Sequence, residues 1–240
     1  MLARAYELSQ VPLMLRYARQ KRNLLDAIRH YLTVRESKGL TALLDGVLMP
    51  KEQHGVAKHY FAAHWDFRYG SRAVSMFEQA PHARLLVLGA AAGAPAEKVA
   101  LREYVRVEMA SASHGHVDLA SAIDELTMAT EWMSAYLDHV SSALEPKLTA
   151  AVSSGTLSSA DCSAAVAAMK AQVDEYRKAK PGTRLLLYAY RHVAAVDLER
   201  YRAALETDEG RWFMRTSRHA LIEALKPSAE RFARNLGKVL

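Results

Sequence analysis

The run His114-Gly115-His116-Val117-Asp118 sets two imidazoles two residues apart and a carboxylate two further on. In a loop, with one more ligand, that spacing suits zinc or copper. No His-x3-His helical pair reinforces it, and Gly115 reads equally as a linker, so His114, His116 and Asp118 are weak candidate ligands and no metal is expected. His54, His59 and His64 advance five residues at a time, about 140° beyond a full turn, and so share no helical face. His64, beside Trp65, reads as a partly buried core histidine. His192 follows Tyr188 by four and His219 precedes Glu223 by four, spacings that serve local hydrogen bonds as well as acid–base work. Cys162 follows the negative Asp161 and has no histidine nearby, which disfavours a nucleophilic thiolate. A phosphate-cradling glycine loop, an HExxH pair and a serine elbow are all missing from the sequence. Arg211, Arg215 and Arg218 share one helical face, either a solvated surface or a salt-sensitive phosphate contact. The residues lean against an enzyme without excluding one, since groups converging from distant helices do not show in a sequence; no cofactor is expected.

Composition sets what must position these residues. The chain has 240 residues, of which 50% are hydrophobic and 24% charged, enough to build a core without disulfides or metal. A single cysteine excludes an internal disulfide framework and any multi-cysteine metal site. Charged residues interrupt every apolar run well short of the roughly 20 needed to span a membrane. There are 42 Ala against 11 Gly, 7 Pro and 3 Ile, a bias toward helix and away from strand and turn. The expected fold is all-α: a compact bundle of about nine or ten helices, either one continuous domain or a basic N-terminal half, 1–92, and a C-terminal half, 93–240. The formal charge is +6, and residues 1–72 hold 12 Lys and Arg against 6 Asp and Glu while the rest hold 20 of each. Such asymmetry marks either an anionic partner or basic ends that pack on an acidic middle.

Periodicity locates the elements. Pro12 opens a helix expected to reach about Arg35, Gly39 and Gly46 punctuate a short helical piece, and Pro50 opens another. Gly89–Pro95 and Ser111–Val117 read as flexible connections and as the places for a domain boundary. Leu119, Ile123, Leu126, Thr130, Met133, Leu137, Val140 and Leu144 follow alternating steps of 4 and 3, the stripe of one long amphipathic helix near 117–144. Asp124, Glu131 and Asp138 recur every seven residues on another flank, either solvated or facing basic residues. Ser158 with Asp161 caps the next helix, whose inner face carries Val166, Met169, Val173 and Tyr176. Lys180-Pro181-Gly182 ends it. Three more helices follow, divided near Ala195 and Thr207, with Pro227 opening the last turns.

Aligning Gly70 with Gly210 sets Phe61 over Tyr201, Trp65 over Leu205 and Asp66 over Glu206. In the second copy Thr207 is a natural N-cap, and Gly210 either lets the new helix pass close to a neighbour or ends the preceding helix in left-handed geometry. Tyr201, Leu205, Glu206, Thr207, Gly210, Arg211, Trp212 and Phe213 form an aromatic helix, a short turn and a Gly-Arg-aromatic start. Trp65, Asp66, Gly70, Arg72 and Glu78 form a related motif, with Phe67-Arg68 standing where Ser-Pro is the pattern. Through these residues and the opening Ala5-Tyr6-Glu7-Leu8-Ser9 the chain resembles a bacterial helical family, domain of unknown function 2059. The resemblance implies a helical fold and export to the periplasm or outside the cell, and supplies no reaction. Met1-Leu2-Ala3-Arg4 lacks the apolar core of a signal peptide, so a leader removed from an exported protein and a cytoplasmic protein both stay open. The expected function is non-enzymatic contact with a protein partner, the alternative being a cytosolic binder of nucleic acid or an anionic surface.

Overall fold

Alanine, leucine and long charged side chains dominate the chain, and the backbone follows their preference. The computed structural model describes residues 1–18 and 50–236, and among these none lies in a strand. The α-helices are α1 (Leu2–Leu8), α2 (Val11–Ala18), α3 (Pro50–Ala63), α4 (Phe67–Glu78), α5 (His82–Ala91), α6 (Lys98–Val107), α7 (His114–Thr127), α8 (Ala129–Ser153), α9 (Ser159–Lys178), α10 (Pro181–Tyr190), α11 (Ala195–Glu206) and α12 (Asp208–Leu236). The all-α expectation holds. Beyond Ala18, the expected Pro12–Arg35 helix and the piece between Gly39 and Gly46 lie outside the described residues. No described helix is long and apolar enough to cross a membrane.

The axis is α12, which packs on α8, α3, α4, α11, α2 and α7. Its Phe213 sits in a continuous file of buried rings contributed by six helices. Tyr6 meets Phe61 at 6.2 Å, Phe61 meets Phe213 at 6.3 Å, Phe213 stacks on Phe77 at 4.9 Å, Phe77 meets Tyr201 at 6.4 Å, and Tyr201 meets Tyr190 at 6.5 Å. Each such pair adds about 0.5–1.5 kcal/mol beyond burial itself. The file ties residues from 1–92 to residues from 93–240, and the two segments share one core.

Several local expectations change. Gly89 is no linker: it lies within α5, where an added Cβ would stand 2.9 Å from the Tyr190 hydroxyl. The connection before α7 shrinks to Ala112 and Ser113, because a 3-10 turn runs to Ser111 and Ser113 caps the His116 N–H. Pro227 sits inside α12 rather than opening a new helix, and Pro146 lies inside α8. Caps are where their residue types point. Ser158 accepts from Asp161 N–H at 3.0 Å, and Thr207 accepts from Gly210 N–H at 3.0 Å.

The long helix expected over 117–144 is two helices. Met128 adopts φ 51°, ending α7 and turning the chain into α8. Left-handed backbone costs a non-glycine residue about 1–2 kcal/mol, so the surroundings must hold it. They do so with buried charge. Asp124, only 5% exposed, accepts from Thr130 N–H and the Thr130 and Thr183 hydroxyls, each at 2.7 Å. The Thr130 hydroxyl in turn accepts from Gly182 N–H at 3.0 Å. One carboxylate therefore caps the start of α8 and fastens α10 to it, so at Asp124 the expectation of a solvated or basic-facing flank fails. On the other side of the break, the Arg218 guanidinium donates from Nε to the Thr127 carbonyl at 2.8 Å. An acid at the positive helix end and a base at the negative end is the arrangement helix dipoles favour.

Gly182 is where this junction has no slack. A Cβ there would lie 2.2 Å from Asp124 Oδ1 and 2.5 Å from the Thr130 backbone nitrogen, whereas at Gly115, in the first turn of α7, nothing lies within 4 Å. Chemical denaturation is expected to show Gly182→Ala destabilised by about 1–3 kcal/mol and Gly115→Ala neutral or stabilised by about 0.5 kcal/mol. Equal effects of the two substitutions contradict this packing.

Candidate functional site

Both glycine motifs fold as a helix, a tight corner and a second helix. Asp66 caps α4 by accepting from Arg68 N–H at 2.7 Å, and Gly70 follows in its first turn. A Cβ on Gly70 would overlap the Trp65 ring at 2.4 Å; one on Gly210 would overlap the Ala204 carbonyl oxygen at 2.1 Å. Each glycine thus lets its helix press against the end of the preceding one. Neither has left-handed backbone, which settles the choice between the two accounts of Gly210 in favour of close approach. Phe61 and Tyr201, the aligned aromatics, are both buried.

The two corners meet through their aromatics. Trp65 and Trp212 pack edge to face with centroids 5.5 Å apart, and Trp65 also meets the edge of Phe67 at 6.4 Å. Around them lies an open groove of about 640 Å3, lined by Tyr60, His64, Trp65, Phe67, Trp212, Arg215 and His219 among others. Tyr60 stacks on His64 at 3.9 Å and lies nearly parallel to His219 at 6.4 Å. His64 donates from Nδ1 to the Tyr60 carbonyl at 2.9 Å, which fixes the ring and leaves Nε2 as its other polar atom. Phe67 is 85% exposed at the rim. His64 is exposed as well, contrary to its expected place in the core. Trp212 is half-buried against Trp65 rather than part of the interior, whereas Phe213 is fully buried. The groove offers ring faces, two imidazoles and the Arg215 cation. Its carboxylate, Asp66, is engaged as a cap. These are means of holding a ligand; no nucleophile is paired with a base among the described lining residues.

The other motif positions serve different ends. Arg72 reaches Glu209 at 3.2 Å, joining α4 to the start of α12, and Glu78 pairs with Arg4 of α1. The Glu209 carboxyl is held below its ordinary range by its own backbone N–H and by Arg72. Arg211 is exposed. The arginine stripe divides: Arg215 is exposed and lines the groove, but Arg218 is 5% exposed and lies inside the bundle, so the single solvated face does not exist. His114 and His116 fall in the first turn of α7 rather than in a loop, where a two-residue step points them to different sides. His116 Nε2 lies 3.2 Å from the Val193 carbonyl, and Asp118 is exposed. Among the described residues no three His, Cys, Asp or Glu side chains are grouped to hold a metal ion. Sequence reasoning missed the groove because its members come from two segments about 150 residues apart. The one available signal was Phe67-Arg68, the departure from the motif, which is where the exposed ring stands.

The chain matches no protein-family model, no curated protein and no solved structure.

Tyr201, a motif residue, stands behind the groove in the core. Burial pushes its hydroxyl, and that of Tyr190, well above the ordinary 10.0. Burial likewise pushes Tyr6 and Tyr176 up to about 12. In the unfolded chain all four titrate near their ordinary value, so the unfolded state loses protons first. The stability these groups carry is complete below pH 10 and is lost as pH rises through about 12. Tyrosinate absorbance followed with circular dichroism should show a late group of tyrosines ionising together with loss of helix. Ionisation of every tyrosine near pH 10 with the helices intact contradicts the burial.

Proposed function

We propose that this chain is a non-enzymatic helical protein that acts by holding a partner protein in the groove between the Trp65 and Trp212 corners. The observation that carries the reading is Phe67. A phenylalanine 85% exposed beside two half-buried tryptophans leaves apolar ring surface in water. Aromatics and arginine are the residue types that concentrate binding energy at protein interfaces. Arg215 supplies a cation, and His64 and His219 polar ring edges, around them, so the segment bound there would combine an apolar anchor with an acidic neighbour. The family resemblance implies no function of its own and adds export to the periplasm.

The parallel Tyr60, His64 and His219 rings, with Arg215 beside them, favour one second reading, a stacking platform for single-stranded nucleic acid. Six of the twelve basic residues of 1–72 that supported nucleic-acid binding fall within 19–49, outside the described residues.

A photoreactive amino acid placed at Phe67 in the native host separates these readings. One discrete protein cross-linked from position 67, not from the exposed Val99 on another helix, and lost in Trp212→Ala, is the expected result. Salt-sensitive binding of single-stranded DNA by the purified chain, abolished by Arg215→Ala, would replace the protein reading with the nucleic-acid one. Fractionation of the native product tests export separately: recovery in the periplasm is expected, and recovery in the cytoplasm alone contradicts it.

A further inference from the structure

Arg218 carries a full positive charge into the middle of the bundle and meets no Asp or Glu side chain among the described residues. Its described hydrogen bonds run to two neutral acceptors, the Thr127 carbonyl from Nε at 2.8 Å and the Met14 thioether from Nη1 at 2.8 Å. The groups acting electrostatically on it are the Tyr201 and Tyr190 hydroxyls, not a carboxylate. Desolvation pulls its pKa down to about 10, so it is still charged at neutral pH. An unpaired cation away from water is costly unless something compensates it.

Beside that guanidinium lies a mostly enclosed cavity of about 50 Å3. Its wall includes Arg218, Tyr190, Tyr201, Thr127 and Trp132, and Gln10 and the exposed Gly93 form a lip toward solvent. The Tyr190 hydroxyl donates to the Leu85 carbonyl at 3.2 Å, and Tyr201 lies next to it. Gln10 and Ala129, beside the left-handed turns at Gln10 and Met128, also line it. The cavity therefore has a cation, hydroxyl groups and room for one small ion, and no Asp or Glu among its described lining residues.

We propose that this cavity is a binding site for a small monovalent anion of about chloride size, with Arg218 as its counter-ion. Formate shares the chemistry and fits as an organic source of the same charge; larger anions such as gluconate are excluded by volume. The anion would offset the buried Arg218 charge, whose described hydrogen bonds reach only neutral acceptors. The site is separate from the Trp65–Trp212 groove and does not depend on it.

The full chain, stripped of halide by dialysis into sodium gluconate, is titrated with sodium chloride at constant ionic strength. The melting temperature is expected to climb with chloride and then follow the logarithm of its concentration, as ligand linkage requires. Formate should act in the same direction. Bromide provides a second readout through Trp132 in the cavity wall: a saturable fraction of tryptophan quenching, on top of the linear quenching of exposed rings. Arg218→Met should fold and lose both effects. If Arg218→Met does not fold, the bromide curve of the unaltered chain decides: saturable quenching supports the site and strictly linear quenching overturns it. Equal melting temperatures in chloride and gluconate overturn it, as does a folded Arg218→Met that keeps the chloride response.

Discussion

A left-handed methionine in the centre of an otherwise helical run is the constraint on which this bundle depends. Met128 stops α7 and restarts the chain as α8, exposing carbonyls on one side of the break and amides on the other. Buried in a protein interior, such groups must be satisfied. Asp124 takes the amide side and Arg218 the carbonyl side. Because Asp124 also holds Thr183, and Gly182 bonds to Thr130, the start of α10 is fixed by the same junction. Arg218 lies in the third turn of α12, so the position of the central helix is fixed with it. The ring file from Tyr6 to Tyr190 then fills the space that these helices enclose.

The groove follows from that placement. With α12 held at Arg218, Trp212 and Arg215 emerge one to two turns earlier, opposite the α3–α4 corner. Gly70 and Gly210 let the two corners close tightly enough for Trp65 and Trp212 to touch. Packing and recognition thus use neighbouring positions of one helix: Phe213 and Arg218 face inward, while Trp212 and Arg215 face the groove.

Local signals in the sequence were readable because their physics is local. Helix-forming composition determined the fold class, and Ser158, Thr207 and the acidic first turn of α12 stand where capping chemistry puts them. The apolar stripe correctly placed Leu119, Ile123, Leu137 and Leu144 in the core. It did not show the break among them, because methionine carries none of the turn preference of glycine or asparagine and the periodicity resumes after it. Asp124 matched Glu131 and Asp138 in spacing but not in fate: Glu131 is exposed, and Asp138 pairs with the exposed Arg177. Arg218 shared a helical face with Arg211 and Arg215, yet depth along a 29-residue helix, not angle alone, decides what is buried. The groove and the charged junction are both made by residues distant in sequence, and no short-range pattern encodes them.

The break itself can be tested by comparing Met128→Gly with Met128→Ala in chemical denaturation, which removes the methionine side chain from both arms. At a left-handed position, glycine should be the more stable of the two by about 1 kcal/mol. If residues 117–144 instead formed one uninterrupted helix, alanine would be the more stable by about 1 kcal/mol, and that result would contradict the account.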